Sequence, residues 1–321
     1  SFNSAKVIYI LIPILIIPQL LFSGVIVKFD KLHPWFASQS SVPWIGNVMA
    51  SRWAYEGMAV AQFKDNEFEK LFYPLKKNKS FAKWKKDYWV KDLETKVSDV
   101  RRGRGDTAQL KKLQHDLEIL YNEINGEMNF VHGVTMRLVD KLVPKDKDGQ
   151  IDPKQVDDAT LNEAEKYLGI LKQHYRNVFN DNEKSLDKLT QRMQKDSVDA
   201  SGKLVFKGAE RYDQLKSDYA NESLENFVTN YAEFDYTVEE NGHLVQKKEL
   251  IYRDPYDKGF FGAHFYAPRK RLFGTYIDTY WANAIVVWAM TLILCITLYF
   301  DALKRLLEAF GKIRLFPKKK R

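Results

Sequence analysis

Glycine–lysine pairs are the residues with which this sequence would bind a nucleotide, since a lysine after a glycine-rich loop can contact phosphate. The two pairs, Gly202-Lys203 and Gly311-Lys312, have Ser197 and Leu306 where the first glycine of such a loop would stand. The six histidines show no HExxH or other close metal-ligand spacing, and no serine lies in a G-x-S-x-G turn. We therefore expect no catalytic, cofactor-binding or metal site in this chain.

A group of aspartates has part of the spacing of a calcium-binding loop. Asp146, Asp148 and Asp152 are carboxylates at short intervals, as in an EF-hand. Aligning Gly149 with the glycine of that loop places Pro144 at the first ligand position, where a carboxylate is needed. The sequence therefore favours a solvated turn over a calcium site.

Two long windows of the sequence contain no charged residue. Val7–Val27 has 21 residues and Thr279–Phe300 has 22. A helix needs about 20 residues to cross the hydrocarbon of a bilayer, so both windows predict transmembrane helices. A cleaved signal peptide is the alternative for the first window, but no A-x-A-like site follows it. The chain opens on Ser1, which suggests a segment of a longer polypeptide.

Basic residues predict the orientation of these helices, because lysine and arginine near a span favour the cytoplasmic side. The residues after the second window include Lys304, Arg305, Lys312, Arg314, Lys318, Lys319, Lys320 and Arg321. We expect a cytoplasmic C-terminus, a cytoplasmic Ser1 and a large periplasmic region between the windows, in a bacterial inner membrane. The net charge of +8 is explained by basic residues next to a membrane, which are attracted to anionic lipid. We therefore expect no nucleic-acid partner.

Apolar residues in the periplasmic region recur at alternating intervals of three and four, over Asp106–Leu142 and Leu161–Lys195. This spacing is typical of two long helices that pack along a shared seam. Pro144, Gly149 and Pro153 interrupt the pattern and predict a loop. We expect an antiparallel, coiled-coil-like hairpin that docks a partner. Its seam residues are Leu110, Leu113, Leu117, Leu120, Ile124, Val131, Val134 and Leu138 in one helix, and Leu161, Ala164, Leu168, Leu171, Tyr175, Val178, Leu186, Leu189 and Met193 in the other.

Other segments of the external region also carry local signals. Helical spacing predicts one helix over 80–100, ending near Gly103, and another over 209–234. Asn241-Gly242 between β-branched and aromatic residues predicts a β-hairpin. Aromatic side chains prefer the headgroup level of a membrane, which predicts an outer interface at Tyr276, Tyr280 and Trp281.

The stretch SRWAYEGMAVAQF, Ser51–Phe63, is too short to cross a bilayer and too apolar for an ordinary surface loop. Its charged residues are Arg52 and Glu56, and small residues such as Ala54 and Gly57 allow another helix to approach closely. An amphipathic helix packed under the soluble domain is one interpretation of this stretch.

A family resemblance offers another interpretation. ILIIPQLLFSGVIVKFDKLHPW and MASRWAYEGMAVAQFKDN resemble the fifth transmembrane helix and the following external connection of the G-subfamily (White-type) ABC exporters. AHFYAPRKRLFGTYIDTYWANAIVVWAMTLILCITLYFDALKRL is similar to the final helix of bacterial members. These matches cover roughly a third of the chain. The ~200 residues between Phe72 and Arg269 depart from the family, since many members have a short loop there.

The resemblance implies that the external connection dips into the outer leaflet as re-entrant helices. The segment concerned contains Arg52, Trp53, Tyr55, Glu56 and Gly57. Prolines in the first span would free backbone carbonyls, which together with a polar glutamine predict a substrate path along Pro13, Pro18, Gln19 and Phe22. A hydrogen bond from Gln19 to another helix, without contact to cargo, is the alternative.

The function implied is that of the permease portion of an exporter that works by alternating access. Its second subunit would form a homodimer, and an upstream nucleotide-binding domain in the parent protein would bind ATP and Mg. A mechanotransmission or sensory module with a periplasmic protein partner is the alternative.

The predicted fold class is mainly α, with two transmembrane helices that bracket a re-entrant connection and an extracytoplasmic helical domain with a small β-hairpin. The predicted segments are a transmembrane helix over 1–28, the external connection over 29–75, the helical domain over 76–235, the β-hairpin and return segment over 236–275, a transmembrane helix over 276–301 and a basic cytoplasmic tail over 302–321.

Overall fold

The computed structural model describes residues 5–29, 32, 38, 41–103, 107–127, 136–146, 148–198, 204–256 and 262–300. This part of the chain is mainly α-helical with short antiparallel strand pairs, as predicted. The helices are α1 (Ala5–Leu21), α2 (Trp44–Val48), α3 (Ala50–Lys64), α4 (Glu69–Trp84), α5 (Val90–Gly103), α6 (Leu110–Glu127), α7 (Met136–Leu142), α8 (Asp158–Gln194), α9 (Gly208–Tyr219), α10 (Glu222–Val228) and α11 (Thr279–Tyr299). The strands are β1 (Ser197–Val198), β2 (Leu204–Phe206), β3 (Thr237–Glu240), β4 (His243–Gln246), β5 (Arg269–Leu272) and β6 (Thr275–Asp278).

The chain divides into two compact units. The smaller unit comprises Ser1–Met58, Lys258–Phe265 and Arg269–Arg321, and the larger comprises Ala59–Asp257 and Tyr266–Pro268. The helical domain predicted over 76–235 lies within the larger unit. The predicted basic tail over 302–321, parts of the connection over 29–75, and the seam residues Val131 and Val134 lie outside the described residues.

The apolar windows form helices of different length. Within the described residues, α11 is the one helix long and apolar enough to cross a membrane, and Ile12–Leu21 is a shorter apolar stretch. Helix α1 has 17 residues and ends well before position 28. The chain turns after it at Gly24, which has a φ of +86°, and a Cβ there would lie 2.5 Å from the ring of Phe265. The turn therefore requires glycine.

The larger unit is a bundle in place of the predicted two-helix hairpin. Helix α8, 37 residues long, packs mainly along α4 and α5, while α6 packs along α5. The hairpin prediction was wrong in its main pairing, because α4 and α5 carry an apolar face of their own that covers the first seam residues of α8, from Leu161 to Tyr175, while α7 makes a smaller contact with α8. This core contains Trp89, Val90, Leu93, Val97, Val100, Leu113, Leu117, Leu120, Ile124, Leu161, Leu168 and Leu171.

The loop before α8 forms an exposed turn. Gly149 has a φ of +79°, and Lys145 and Ile151 form an isolated antiparallel bridge. The exposed Asp146 uses one carboxylate oxygen to accept the backbone N–H groups of Asp148 and Gln150, each at 2.9 Å. These hydrogen bonds stabilise the turn from within.

The helix predicted over 209–234 was wrong in its continuity, because it is divided into α9 and α10. Asn221 caps the second helix, since its side chain accepts the backbone N–H of Leu224 at 2.9 Å. The hairpin of β3 and β4 is confirmed, and Asn241 and Gly242 have φ values of +51° and +73°, as a type I′ turn requires. A second hairpin, of β5 and β6, was not predicted.

Candidate functional site

The two charged residues of Ser51–Phe63 are buried on one face of α3. Arg52 and Glu56 are four residues apart, so they lie one above the other on a helix. Their exposed fractions are 1% and 0%. Neither charged side chain of this stretch faces water, so each needs a partner inside the protein.

One carboxylate oxygen of Glu56 collects those partners. Its Oε2 accepts Nη1 of Arg52 at 3.2 Å, Nδ2 of Asn283 at 2.9 Å and the Nζ ammonium of Lys270. Lys270 comes from β5, Asn283 from the second turn of α11, and both are buried. We call Arg52, Trp53, Glu56, Lys270 and Asn283 the Glu56 cluster. It lies wholly within the smaller unit.

The Trp53 ring forms an aromatic wall beside the two cations. Cζ of Arg52 lies 3.8 Å from the ring centroid, and Nζ of Lys270 lies 4.4 Å from it. Nε1 of Trp53 donates to the backbone oxygen of Asn47 at 2.8 Å, and Nη2 of Arg52 donates to the Asn47 side chain at 2.6 Å. The ring offers both cations a favourable electrostatic face in a site that excludes water.

The cluster combines two basic groups with one carboxylate. Burial lowers the pKa of Lys270 to about 8, although the Glu56 carboxylate opposes this shift. Burial raises the pKa of Glu56, but the charges of Lys270 and Arg52 outweigh it and hold that pKa below its ordinary value. Glu56 is therefore ionised at neutral pH, and Lys270 gives up its proton more readily than an exposed lysine does.

Three members of the Glu56 cluster each have one buried side-chain atom that lacks a hydrogen bond within the described residues. Within the described residues, Glu56 Oε1, Asn283 Oδ1 and Arg52 Nε are buried and have no hydrogen-bond partner. A buried polar atom without a partner costs free energy. These atoms are two acceptors and one donor that the described side chains leave unsatisfied.

Gly57 lets α3 and α11 approach each other closely. A Cβ at Gly57 would lie 3.3 Å from Cβ of Asn283, which is tighter than ordinary packing. Asn283 Nδ2 also donates to the backbone oxygen of Trp53 at 2.9 Å. Small residues at a helix contact permit this backbone approach. Tyr55, on another side of α3, stacks with Phe265 at 6.5 Å between ring centroids.

The end of α1 meets the start of α3. The Ser51 hydroxyl donates to the backbone oxygen of Gln19 at 2.8 Å. Pro13 and Pro18 lie inside α1, as predicted, and Pro13 is exposed, whereas Pro18, Gln19 and Phe22 are half-buried. The path along these four residues remains a prediction.

The predicted interface aromatics lie on two elements. Tyr280 and Trp281 open α11 and are 42% and 63% exposed, with ring centroids 5.2 Å apart. The helix predicted over 276–301 was wrong at its start, because Tyr276 belongs to β6. Its ring is covered by the Arg269 guanidinium at 4.3 Å.

No protein-family model matches this chain, and no curated protein or solved structure does. Within the described residues, no group of three or more His, Cys, Asp or Glu could hold a metal ion. The helix α11, the Glu56 cluster and the larger helical unit are therefore the features that bear on function.

Sequence reasoning missed Lys270 and Asn283. Lys270 stands in the run Arg269-Lys270-Arg271, which reads as a basic flank of a membrane helix. Asn283 could have been predicted as a site residue, because a strongly polar residue inside an apolar window more often contacts protein than lipid.

Proposed function

We propose that this chain is the permease portion of an ATP-driven ABC exporter. In this proposal Val7–Val27 and α11 cross the inner membrane of a bacterium, and the C-terminus is cytoplasmic. A second subunit completes a homodimer, and the nucleotide-binding domain of the parent protein supplies ATP and Mg. Support comes from the resemblance of both ends of the chain to White-type exporters and from the length and apolar character of α11.

The observation that carries the proposal is the attachment of α3 to α11 through the buried carboxylate of Glu56. A short apolar helix can lie at membrane depth only if its charged residues are paired away from lipid. Arg52 and Glu56 meet this requirement, since they are paired with each other and with Lys270 and Asn283. The re-entrant connection that the resemblance implies needs such an arrangement.

The cluster also suits a permease that alternates between two states. Bonds from α3, β5 and α11 meet at Glu56, so a movement of one of these elements changes the contacts of the others. Ser51 and Gln19 link α3 to α1 as well, so α3 contacts both apolar helices of the smaller unit. A movement of α1 or α11 would therefore change the contacts of α3.

The test is to isolate the polypeptide that contains this chain from its host, through an affinity tag at that polypeptide's own C-terminus. We expect a mass well above 37.5 kDa, with additional spans and a Walker A domain upstream, and magnesium-dependent ATP hydrolysis. A natural polypeptide of 37.5 kDa without ATPase activity would refute the proposal.

A further inference from the structure

A cavity of about 430 Å³ lies within the larger unit. Its walls come from the end of α4, the end of α6, strand β4 and the segment 252–256. Aromatic rings from Phe81, Trp84, Tyr252 and Tyr256 line it. The volume falls within the range of small-molecule sites, which are mostly apolar with a few placed polar groups.

A π-helical turn, Lys85–Trp89, follows α4 at this cavity. Such turns are rare, and they occur frequently at functional sites. Here the turn places the Lys85 ammonium 3.5 Å from the centroid of the Trp89 ring and 5.1 Å from that of Trp84. Lys85 is 5% exposed and lines the cavity.

Lys85 has donors to spare. Within the described residues, its ammonium donates to Oε1 of Glu127 at 2.8 Å and otherwise lies among aromatic faces. An ammonium has three N–H donors, and an aromatic face satisfies them less well than an oxygen does. A ligand in the cavity with an acceptor oxygen would complete the hydrogen bonding of this buried cation.

The three carboxylates that line the cavity already have donors, and the first of them, Asp254, accepts Nζ of Lys77 at 2.6 Å. Glu123 accepts Nε1 of Trp89 at 2.6 Å, Nδ1 of His243 at 3.0 Å and the backbone N–H of Leu244 at 3.0 Å. Glu127 accepts the hydroxyl of Tyr175 in addition to Lys85. With their oxygens occupied, these groups have little to offer a ligand that brings donors.

We propose that this cavity binds a small aromatic carboxylate. Lys85 receives the carboxylate oxygen at the inner wall. Phe81 and Tyr256, which are 41% and 46% exposed, contact the flat apolar body nearer the mouth. The site belongs to the larger unit alone and stands whether or not the smaller unit is part of an exporter.

Gly126 provides the variant that tests the site. It lines the cavity on α6, and a Cβ added there meets nothing within 4 Å. A phenylalanine side chain would therefore begin in open space at the cavity wall, and we expect it to reduce the volume available to a ligand. Gly169 is the matched control, because it is also helical, exposed and open, and does not line the cavity.

The probe is naphthalene-2-carboxylate, measured by equilibrium dialysis against the full chain in detergent, with empty micelles as the reference. We expect saturable binding to the wild type and Gly169→Phe, and binding at least about tenfold weaker to Gly126→Phe. Thermal unfolding of both variants checks that they are folded.

The second arm changes the probe and keeps the wild-type protein. (2-Naphthyl)methylammonium has the same body with donors in place of acceptors, so we expect it to bind about tenfold more weakly than the carboxylate. The absence of saturable binding to the wild type, equal binding to Gly126→Phe, or equal affinity for the two probes would each overturn the proposal.

Discussion

At the scale of single residues, Glu56 is the group on which the smaller unit depends. It is the carboxylate to which both Arg52 and Lys270 are paired in the Glu56 cluster. Removing one partner of a buried ion pair leaves the other charge buried without compensation, which is far costlier than replacing the whole pair. Removing one charge of the cluster should therefore destabilise this unit more than removing a positive and a negative charge together.

The first prediction is that Glu56→Gln destabilises the full chain by about 3–5 kcal/mol, the usual cost of breaking a buried ion pair. Glu67→Gln, at an exposed position close in sequence, is the control and should change stability little. Unfolding by denaturant in detergent measures both. Adding Lys270→Met to Glu56→Gln should recover part of the loss, because it removes one of the two uncompensated charges.

The second prediction concerns pH. The pKa of Lys270 is about 8 in the folded chain and has an ordinary value of 10.5, because burial disfavours the charged form. Between these values the unfolded chain binds more protons than the folded chain, so the free energy of unfolding rises with pH across this window. Stability measured at the two ends of the window should differ in the wild type and differ less in Lys270→Met. An equal slope in both would assign the dependence to other groups.

The residue types of the cluster were partly predictable. Arg52, Trp53, Glu56 and Gly57 stood out because a charge pair and a glycine are unusual in so apolar a stretch. Lys270 joins them from more than two hundred positions away, and local sequence carries no signal for such a contact.

At the scale of elements, the apolar periodicity predicted which residues are buried, but it did not predict which helices cover them. The seam residues Leu117, Leu120, Leu161 and Leu168 are fully buried, as the spacing predicted. The same spacing cannot say which neighbour covers a helix, and the apolar face of α5 competes successfully for α8 and for α6. The β-hairpin at Asn241-Gly242 was predictable because its turn is a local signal.

The third prediction tests that turn. Gly242 has a φ of +73°, and a Cβ there would lie 3.0 Å from Nδ2 of Asn122, which donates to the Gly242 oxygen. Gly242→Ala should therefore destabilise the chain by about 1 kcal/mol or more. Gly169→Ala, in an open helical position, should stabilise it by up to about 1 kcal/mol. Thermal unfolding of the two variants should give shifts of opposite sign, and shifts of the same sign would contradict this account of the turn.

At the scale of the whole molecule, the larger unit must be removed or kept as one piece. Helices α6, α7 and α8 bury the apolar faces of α4 and α5, so deleting 106–195 alone would expose a core. Docking of a periplasmic protein partner, or transmission of force to one, remains the prediction for this unit.

The fourth prediction is that replacing 66–256 by a flexible Gly-Ser linker in the parent protein preserves membrane insertion and basal ATPase activity and abolishes function in cells. The physical reason is that the unit has a core of its own, which leaves the smaller unit with its internal contacts. Fractionation, ATPase assays and complementation measure the three properties. Retained complementation would show that the larger unit is dispensable and would exclude an essential partner there.

The central claim is that the Glu56 cluster belongs to the permease of an ATP-driven exporter, and the most direct measurement is ATP hydrolysis by the purified parent protein in lipid nanodiscs. We expect magnesium-dependent hydrolysis by the wild type and by the Glu67→Gln control. We expect a rate at least about tenfold lower for Glu56→Gln at a temperature where it remains folded, because loss of this charge weakens the contacts that join α3 to β5 and α11. No hydrolysis by the wild type, or an unchanged rate in folded Glu56→Gln, would contradict the claim.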